Sequence, residues 1–393
     1  MLPPTIQKEY GAIRQISDFI HDNPELGFKE FKAAAALKNF LSERGFTIRE
    51  NLGGVETAFL AECDSPGAGP DLPLFGFLGE YDALAGLGHA CGHNLIATVA
   101  LAALLETRAR LEQAHIPFRL CYIGTPAEET LGGKVKMIEG GAFEGVAASI
   151  EGHPFHTTTP DPGCLSVSRC VISFHGKASH AAIAPEKGIN ALDAICEFVC
   201  AIRRWRPQLG VRERVHGIIT KGGDAPNIIP EYTEAFYYVR AASEQAITPL
   251  KQHLEQLAAE AAKLTGCRAE VKWVSAYKGM VFNTPLNEEF IRAWKQRYGQ
   301  DLPHTNGTEG KGSSDTGDVS YIMPCAQYYF GVTGGESKAL HTVEFREAAK
   351  SDQAFQSTME TAAAMSDVAF RYCADEAFRR SVHEAWKNEL AHC

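Results

Sequence analysis

The sequence predicts an α/β domain with a largely parallel sheet, divided by an inserted α+β unit. Short apolar runs alternate with helical periodicities from Ile6 to Ile150, as in a layered domain built on parallel strands. After the Pro/Gly/Thr-rich stretch His156 to Gly163 the rhythm becomes strand, helix, two strands, helix, strand, a ferredoxin-like βαββαβ order. From about Phe282 the α/β character returns. The expected boundaries are 1–163 and 282–393 for the split domain and 164–281 for the insert.

Each element has its own signal. Tyr10, Ile13, Ile16 and Ile20 recur at helical spacing up to the Asn23-Pro24 break, and a second helix is expected over Phe28 to Leu41, closed by Gly45. Thr57 to Ala61 and Leu74 to Leu78 read as strands across a Pro/Gly-rich loop. Leu95 to Leu111 is helical, Phe118 to Ile123 a strand, Val135 to Ile138 part of a helix and Val146 to Ile150 a strand. In the insert, Leu165 to Phe174, Val215 to Thr220, Tyr232 to Arg240 and Ala269 to Val274 read as strands, with helices over Ile189 to Trp205 and Leu250 to Leu264. A helix near Asn287 to Tyr298, a strand near Gln327 to Phe330 and a long helical tail follow. The sequence contains no internal repeat and no low-complexity segment.

Composition narrows the function. With 45% hydrophobic residues, 21 Phe, 12 Tyr and 4 Trp, the 393-residue chain can bury a large core. Its 38 basic residues stand against 48 acidic ones without long like-charge runs, so a nucleic-acid partner is not expected. The longest apolar stretch, Leu95 to Leu105, falls well short of the roughly 20 residues of a membrane span. No basic segment with a following apolar run and cleavage site opens the sequence, and the eleven cysteines are scattered singly. The reading is a soluble, cytoplasmic protein with reduced thiols.

Chemistry concentrates at the ends of the predicted strands, where α/β sheets carry their sites. Gly88 to Asn94 holds Cys91 and His93 two residues apart, a thiolate and an imidazole that suit zinc, manganese or another divalent transition metal. A glycine loop around a buried thiol remains the alternative at this point. Upstream, Asp82 follows the strand ending at Gly79-Glu80, and could accept the second N–H of a ligating histidine or cap a turn. Glu128 and Glu129 follow the next strand; one could bind a metal while its neighbour takes a proton from water, although paired acids also favour an ordinary helix start. His153, with His156 three residues on, is a third strand-end donor, and His341 a fourth. In the insert, Gly176 to Ala182 carries His180, Gly223 to Pro230 carries Asn227, and Arg240 shares a strand face with Phe236 and Tyr238. A guanidinium there matches a carboxylate fork, or is a plain edge charge.

The motifs GEYDALAGLGHACGHN (79–94), GTPAEE (124–129), EGHP (151–154), GKASHAAIAPEKGINALDAI (176–195), APNIIPE (225–231) and ALHT (339–342), in that order over nearly the whole chain, resemble the aminoacylase/carboxypeptidase metallohydrolase family. The similarity is greatest to the branch of aminobenzoyl-glutamate hydrolase. The resemblance implies a phosphorylase/hydrolase-like catalytic domain, an inserted dimerisation domain, and a homodimer. It also implies one or two divalent ions, zinc or manganese, and hydrolysis of an amide next to a free carboxylate. Carried over by position, Cys91 bridges the metals; His93, Glu129, His153 and His341 complete their shell; Glu128 is the general base; Asp82 orients a ligand. His180 reaches the partner subunit's site to stabilise the oxyanion, and Asn227 and Arg240 hold the substrate carboxylate. Two departures stand out: Glu80 replaces a metal-binding histidine of other branches, and Asn94 replaces an aspartate. The loop Gly312 to Asp318 resembles a family loop near the substrate and has no residue roles assigned.

The resulting expectation is a metal-dependent amidohydrolase acting on an N-acyl or N-aroyl amino acid or a small dipeptide. The alternatives are a hydrolytic deaminase of a small aromatic amine on the same scaffold, and a non-catalytic metal-dependent binding protein. An unligated base beside a metal argues against the last.

Overall fold

A computed structural model describes residues 1–310 and 312–393, with the side chains of Thr130 and Leu131 left aside. The chain divides into two compact units. The first comprises Met1–Gly163, Met280–Gly310 and Asp315–His392. The second comprises Cys164–Gly279 with the segment 312–314 and the last residue.

The first unit opens with α1 (Pro4–Asp22), its proline in the first turn where the missing N–H costs nothing and Ile6, Ile13 and Ile20 on the buried stripe. Helix α2 (Phe31–Ser42) leads to β1 (Thr47–Glu50), β2 (Phe59–Asp64) and β3 (Leu74–Glu80). Then come α3 (His93–Gln113), β4 (Arg119–Thr125), the single turn α4 (Glu128–Leu131), α5 (Gly133–Glu139) and β5 (Val146–Phe155). The expected Thr57 to Ala61 strand begins two residues later, and β1 has no counterpart in the sequence reading because its residues are mostly exposed and polar. Helix α3 is buried from His93 to Thr107, since α1, the sheet and a tail helix over Asp352–Ala374 surround it.

The second unit contains β6 (Ser166–His175), the two-residue β7 (Ser179–His180), α6 (Ala191–Trp205), β8 (Arg214–Lys221), the two-residue β9 (Ile228–Ile229), β10 (Tyr232–Ala241), α7 (Glu244–Thr265) and β11 (Arg268–Tyr277). Capped by Ser243, α7 begins six residues ahead of its expected start, with Pro249 accommodated inside the helix. The main strands form an antiparallel sheet in the order β11-β6-β10-β8, the ferredoxin-like arrangement that the βαββαβ order predicts. Ile172, Phe174, Ile195, Phe198, Val239 and Leu254 are among the residues packed between this sheet and its two helices.

Returning to the first unit, α8 (Thr284–Tyr298), α9 (Thr316–Ser320), β12 (Cys325–Gly331), α10 (Val343–Ala349), α11 (Asp352–Ala374) and α12 (Glu376–Leu390) complete the chain. The six-stranded sheet has the order β1-β2-β4-β3-β5-β12. Its central pairs β4-β3, β3-β5 and β5-β12 are parallel, and the β1-β2 and β2-β4 pairs are antiparallel. The parallel strands therefore end along one edge. No helix among the described residues is long and apolar enough to cross a membrane.

Candidate metal centre and active site

The carboxyl ends of β3, β4 and β5 and the start of α3 bring five of the expected ligands together within the first unit. Cys91, His93 and His153 form one buried group of possible ligands, and Cys91, Glu129 and His341 form a second, each group having its donor atoms within 4.8 Å of one another. Cys91 belongs to both. A third group joins His93, Glu128 and Glu129.

Local backbone makes this convergence possible. Gly92 caps α3 at φ 76°, and a Cβ there would sit 2.6 Å from Pro154 Cγ, so only glycine lets the Cys91 loop close against the His153 strand. Strand β5 continues through His153-Pro154 to Phe155, where the sequence predicted that it stops at Ile150. Its ladder with β3 ends at Phe77 and Ile150, so Pro154, with no N–H to give, lies beyond the last β3 partner. His341 has φ 63°, donates its N–H to the Ala90 carbonyl at 3.0 Å, and brings an exposed imidazole to Glu129.

Hydrogen bonds select which ring nitrogens face the centre. Asp82 Oδ1 accepts from His93 Nδ1 at 2.9 Å, leaving Nε2 as the donor atom 3.3 Å from Glu80 and 3.8 Å from Glu129. His153 Nδ1 donates to the Pro154 carbonyl at 2.9 Å, and its Nε2 lies 3.6 Å from Cys91 Sγ. His341 Nε2 lies 3.1 Å from Glu129 Oε1. His156, the other candidate beside His153, is in none of the ligand groups and lies tilted against Phe155 with ring centroids 4.0 Å apart.

The loop carrying Glu128 and Glu129 is held by its backbone. The buried Ala127, at φ 62°, donates its N–H to Glu30 at 2.9 Å, and Glu129 donates its N–H to Asp82 Oδ2 at 3.0 Å. Gly133 closes the loop on the Ala127 carbonyl; a Cβ there would meet the Pro126 oxygen at 1.6 Å. Asp315 accepts from the Lys134 backbone N–H at 2.9 Å and from its ammonium at 2.6 Å. That ammonium is fully buried and also donates to Glu80, with Glu151 at 3.9 Å.

Electrostatics separates the adjacent acids. Burial, with Glu80, Glu129 and Asp315 nearby, pushes the Glu128 carboxyl well above the usual range. Burial also pushes Glu129 upward, but hydrogen bonding to His341 and the charge of His93 outweigh it and hold Glu129 below its ordinary value. Burial and Glu129 push the Cys91 thiol well up, so in this apolar, acid-lined setting a divalent cation is what would favour the thiolate. The sulfur, imidazole and carboxylate donors suit zinc or manganese, and neither group is the closed four-ligand cage of a structural zinc.

The insert carries the other expected residues. His180 and Asn227 come together through the β7-β9 pair, in which His180 lies opposite Ile228 and the Ala181 N–H donates to the Asn227 carbonyl at 3.0 Å. The exposed His180 ring accepts backbone N–H groups of Ala182 and Ile183 at Nδ1, both at 3.2 Å, which leaves Nε2 as the ring's donor position. Arg240 stands on β10, an interior strand of the other sheet, and donates to Ser313 Oγ at 2.6 Å. That bond gives the Gly312 to Asp318 loop one contact, and Asp315 gives it another.

Glu30, Lys134, Glu151 and Asp315 escaped the sequence reading as site residues. Glu30 lies 97 positions before Ala127, and single acids in helical surroundings look like surface charges. Glu151 lay within the EGHP motif and Asp315 within the loop without assigned roles, but neither was singled out.

A sequence profile described as a peptidase dimerisation domain matches residues 166–265. The mouse Xaa-Arg dipeptidase is 36% identical over 385 residues, covering 95% of this chain and 89% of that protein. One of the subunits of the Escherichia coli p-aminobenzoyl-glutamate hydrolase is 31% identical over 312 residues, 73% of this chain and 63% of that one. Among solved structures, a Bacillus subtilis protein described as a dinuclear metal binding peptidase from the M20 family superposes with a TM-score of 0.69 at 20% identity, covering 93% of this chain and 99% of that one. A Klebsiella pneumoniae aminobenzoyl-glutamate utilization protein does so with a TM-score of 0.71 at 17% identity, over 94% and 98%.

Proposed function

This chain belongs to the M20 metallopeptidase family, and on that premise we propose that it is a metal-dependent amidohydrolase cleaving an N-acyl or N-aroyl amino acid of the aminobenzoyl-glutamate kind, or a small dipeptide. The observation that carries this reading is the pair of ligand groups sharing Cys91, with Glu128 in a third group beside His93 and Glu129. The relatives' names point to different residues, arginine in one and glutamate in the other, so the class of reaction is better supported than the side chain released.

Cys91, His93 and His153 would hold one divalent ion, and Cys91, Glu129 and His341 the other. Zinc or manganese bound there would polarise the scissile carbonyl and acidify a water. Glu128 takes the proton of the attacking water and returns it to the leaving nitrogen, which must depart as a neutral amine. Asp82 keeps His93 in the tautomer that offers Nε2. His180 offers its Nε2–H to the developing oxyanion of the partner subunit's substrate, a role supported by its exposed ring, whose Nδ1 is already taken, and by the dimerisation-domain match. Asn227 and Arg240 bind the free carboxylate. Eleven cysteines scattered singly through the sequence fit a reducing compartment, and the cytoplasm is the proposed location.

The test is a screen of metal-loaded protein against N-acyl amino acids, N-aroyl glutamates and dipeptides, reading released amine, with ammonia release marking deamination instead. Arg240→Ala is expected to raise KM and to abolish the preference for a free over an ester-capped carboxylate, because it removes a clamp and leaves the reacting groups in place. Equal discrimination by variant and wild type would remove Arg240 from carboxylate binding.

The metal assignment has its own check. Cys91→Ser and His93→Ala are expected to lower metal affinity, with chelator inactivation of the wild type reversed by zinc or manganese. Bound metal should also shield Cys91 from alkylation; equal alkylation rates with and without metal would mean that the thiol is not a ligand.

A further inference from the structure

The sheet of the second unit carries both its helices on one face, where Ala235, Tyr237 and Val239 of β10 are buried. On the opposite face β10 presents Phe236, Tyr238 and Arg240. Arg169 of β6 pairs directly with Tyr238, which makes Arg169 and Arg240 diagonal cross-strand neighbours. Such positions lie about 7–8 Å apart, within reach of two converging arginine side chains. Tyr238 serves both, with the Arg169 guanidinium 5.2 Å and the Arg240 guanidinium 5.9 Å from its ring centre.

A register shift in β11 between Trp273 and Ser275 reverses which residues face this side, turning Ser275 and Tyr277 toward Arg169. Arg169 Nη1 donates to Ser275 Oγ and to Tyr277 Oη, both at 3.3 Å, and its guanidinium stands 4.6 Å from the Tyr277 ring centre. Its Nε is buried without a partner, and the hydrogen-bond partner of the Arg240 guanidinium among the described residues is Ser313. No carboxylate of the described residues lies within ion-pair distance of either guanidinium. Each is near enough to the other for repulsion to add to burial in disfavouring the Arg240 charge. Two half-buried cations held side by side by hydroxyls and aromatic rings are unfavourable in the free protein and complementary to an anion with two charged groups.

We propose that Arg240 and Arg169 are the two arms of one anion pocket, Arg240 taking the terminal carboxylate of the substrate and Arg169 the carboxylate of its side chain. The residue released is then glutamate or aspartate. This rests on the amidohydrolase reading and names the leaving residue; Arg169 is a specificity residue that touches substrate and takes no part in bond breaking.

The experiment compares N-acetyl-L-glutamate, N-acetyl-L-leucine and N-acetyl-L-arginine as substrates of metal-loaded wild type, Arg169→Met and Arg169→Lys, with dissociation constants for the same three compounds measured by calorimetry. Wild type is expected to favour glutamate over leucine at least tenfold in kcat/KM and in affinity, with arginine weakest. Arg169→Met should cut the glutamate-to-leucine ratio tenfold or more, and Arg169→Lys, which keeps the charge and loses the fork, should cut it less. A wild-type preference for arginine, or an unchanged ratio in a folded Arg169→Met, overturns the pocket while leaving the amidohydrolase reading intact. If none of the three is hydrolysed, the amidohydrolase reading is decided by the wider screen of N-aroyl glutamates and dipeptides, and the affinity ratio decides the pocket.

Discussion

Glu128→Gln is expected to retain its full metal content and to lose nearly all turnover. A general base contributes about 100-fold to 10,000-fold, and the amide of glutamine cannot accept the water proton. The measurement also separates two geometrical options. Glu128 shares one possible ligand group with His93 and Glu129, but neither of the two groups joined by Cys91 needs it. If Glu128 were a ligand, metal stoichiometry would fall with activity. If it is the base, stoichiometry stays and kcat collapses. Activity within a few-fold of wild type would exclude it from the mechanism. The adjacent Glu129 gives the opposite signature: its carboxylate faces His341 and His93, so Glu129→Gln should lower metal affinity first.

The second large effect is restoration of activity by mixing two inactive proteins. His180→Ala and Glu128→Gln homodimers should each be nearly inactive. If His180 serves the partner's site, a mixed dimer contains one site with both wild-type Glu128 and the partner's wild-type His180. Statistical exchange of equal amounts makes about half of the dimers mixed, each with one good site, so activity should recover to roughly a quarter of wild type. The local geometry favours such a role: two backbone N–H groups occupy Nδ1 of an exposed ring and leave Nε2 as its donor position. No recovery, with subunit exchange verified independently, would mean that His180 acts within its own chain or not at all.

The layered fold and its insert were readable because both rest on periodicity. The apolar runs of β3, β4 and β5 and the Ile6, Ile13, Ile20 stripe of α1 are local patterns that burial requires. Donors at strand ends were readable for the same reason: Cys91, His93, Glu128, Glu129, His153 and His341 each sit beside a recognisable strand, helix start or glycine turn. Strand ends were less certain. Strand β5 runs five residues past its expected end because β12 pairs with it through Phe155, a partner the local pattern does not contain.

What the sequence determined by itself was the order of elements, the residue types able to hold divalent ions, and the acid pair able to divide ligation from proton transfer. Tertiary structure decided which nitrogen of each histidine faces the centre, which residues pin the loop carrying Glu128 and Glu129, and which charges meet without a partner. Glu30 reaches Ala127, Lys134 reaches Glu80 and Asp315, and Arg169 reaches Tyr238 and Tyr277 only once strands and helices from distant parts of the chain are packed together. The physical reason is that hydrophobic periodicity is encoded among neighbours, whereas hydrogen bonds and electrostatic fields depend on distances that the fold alone creates.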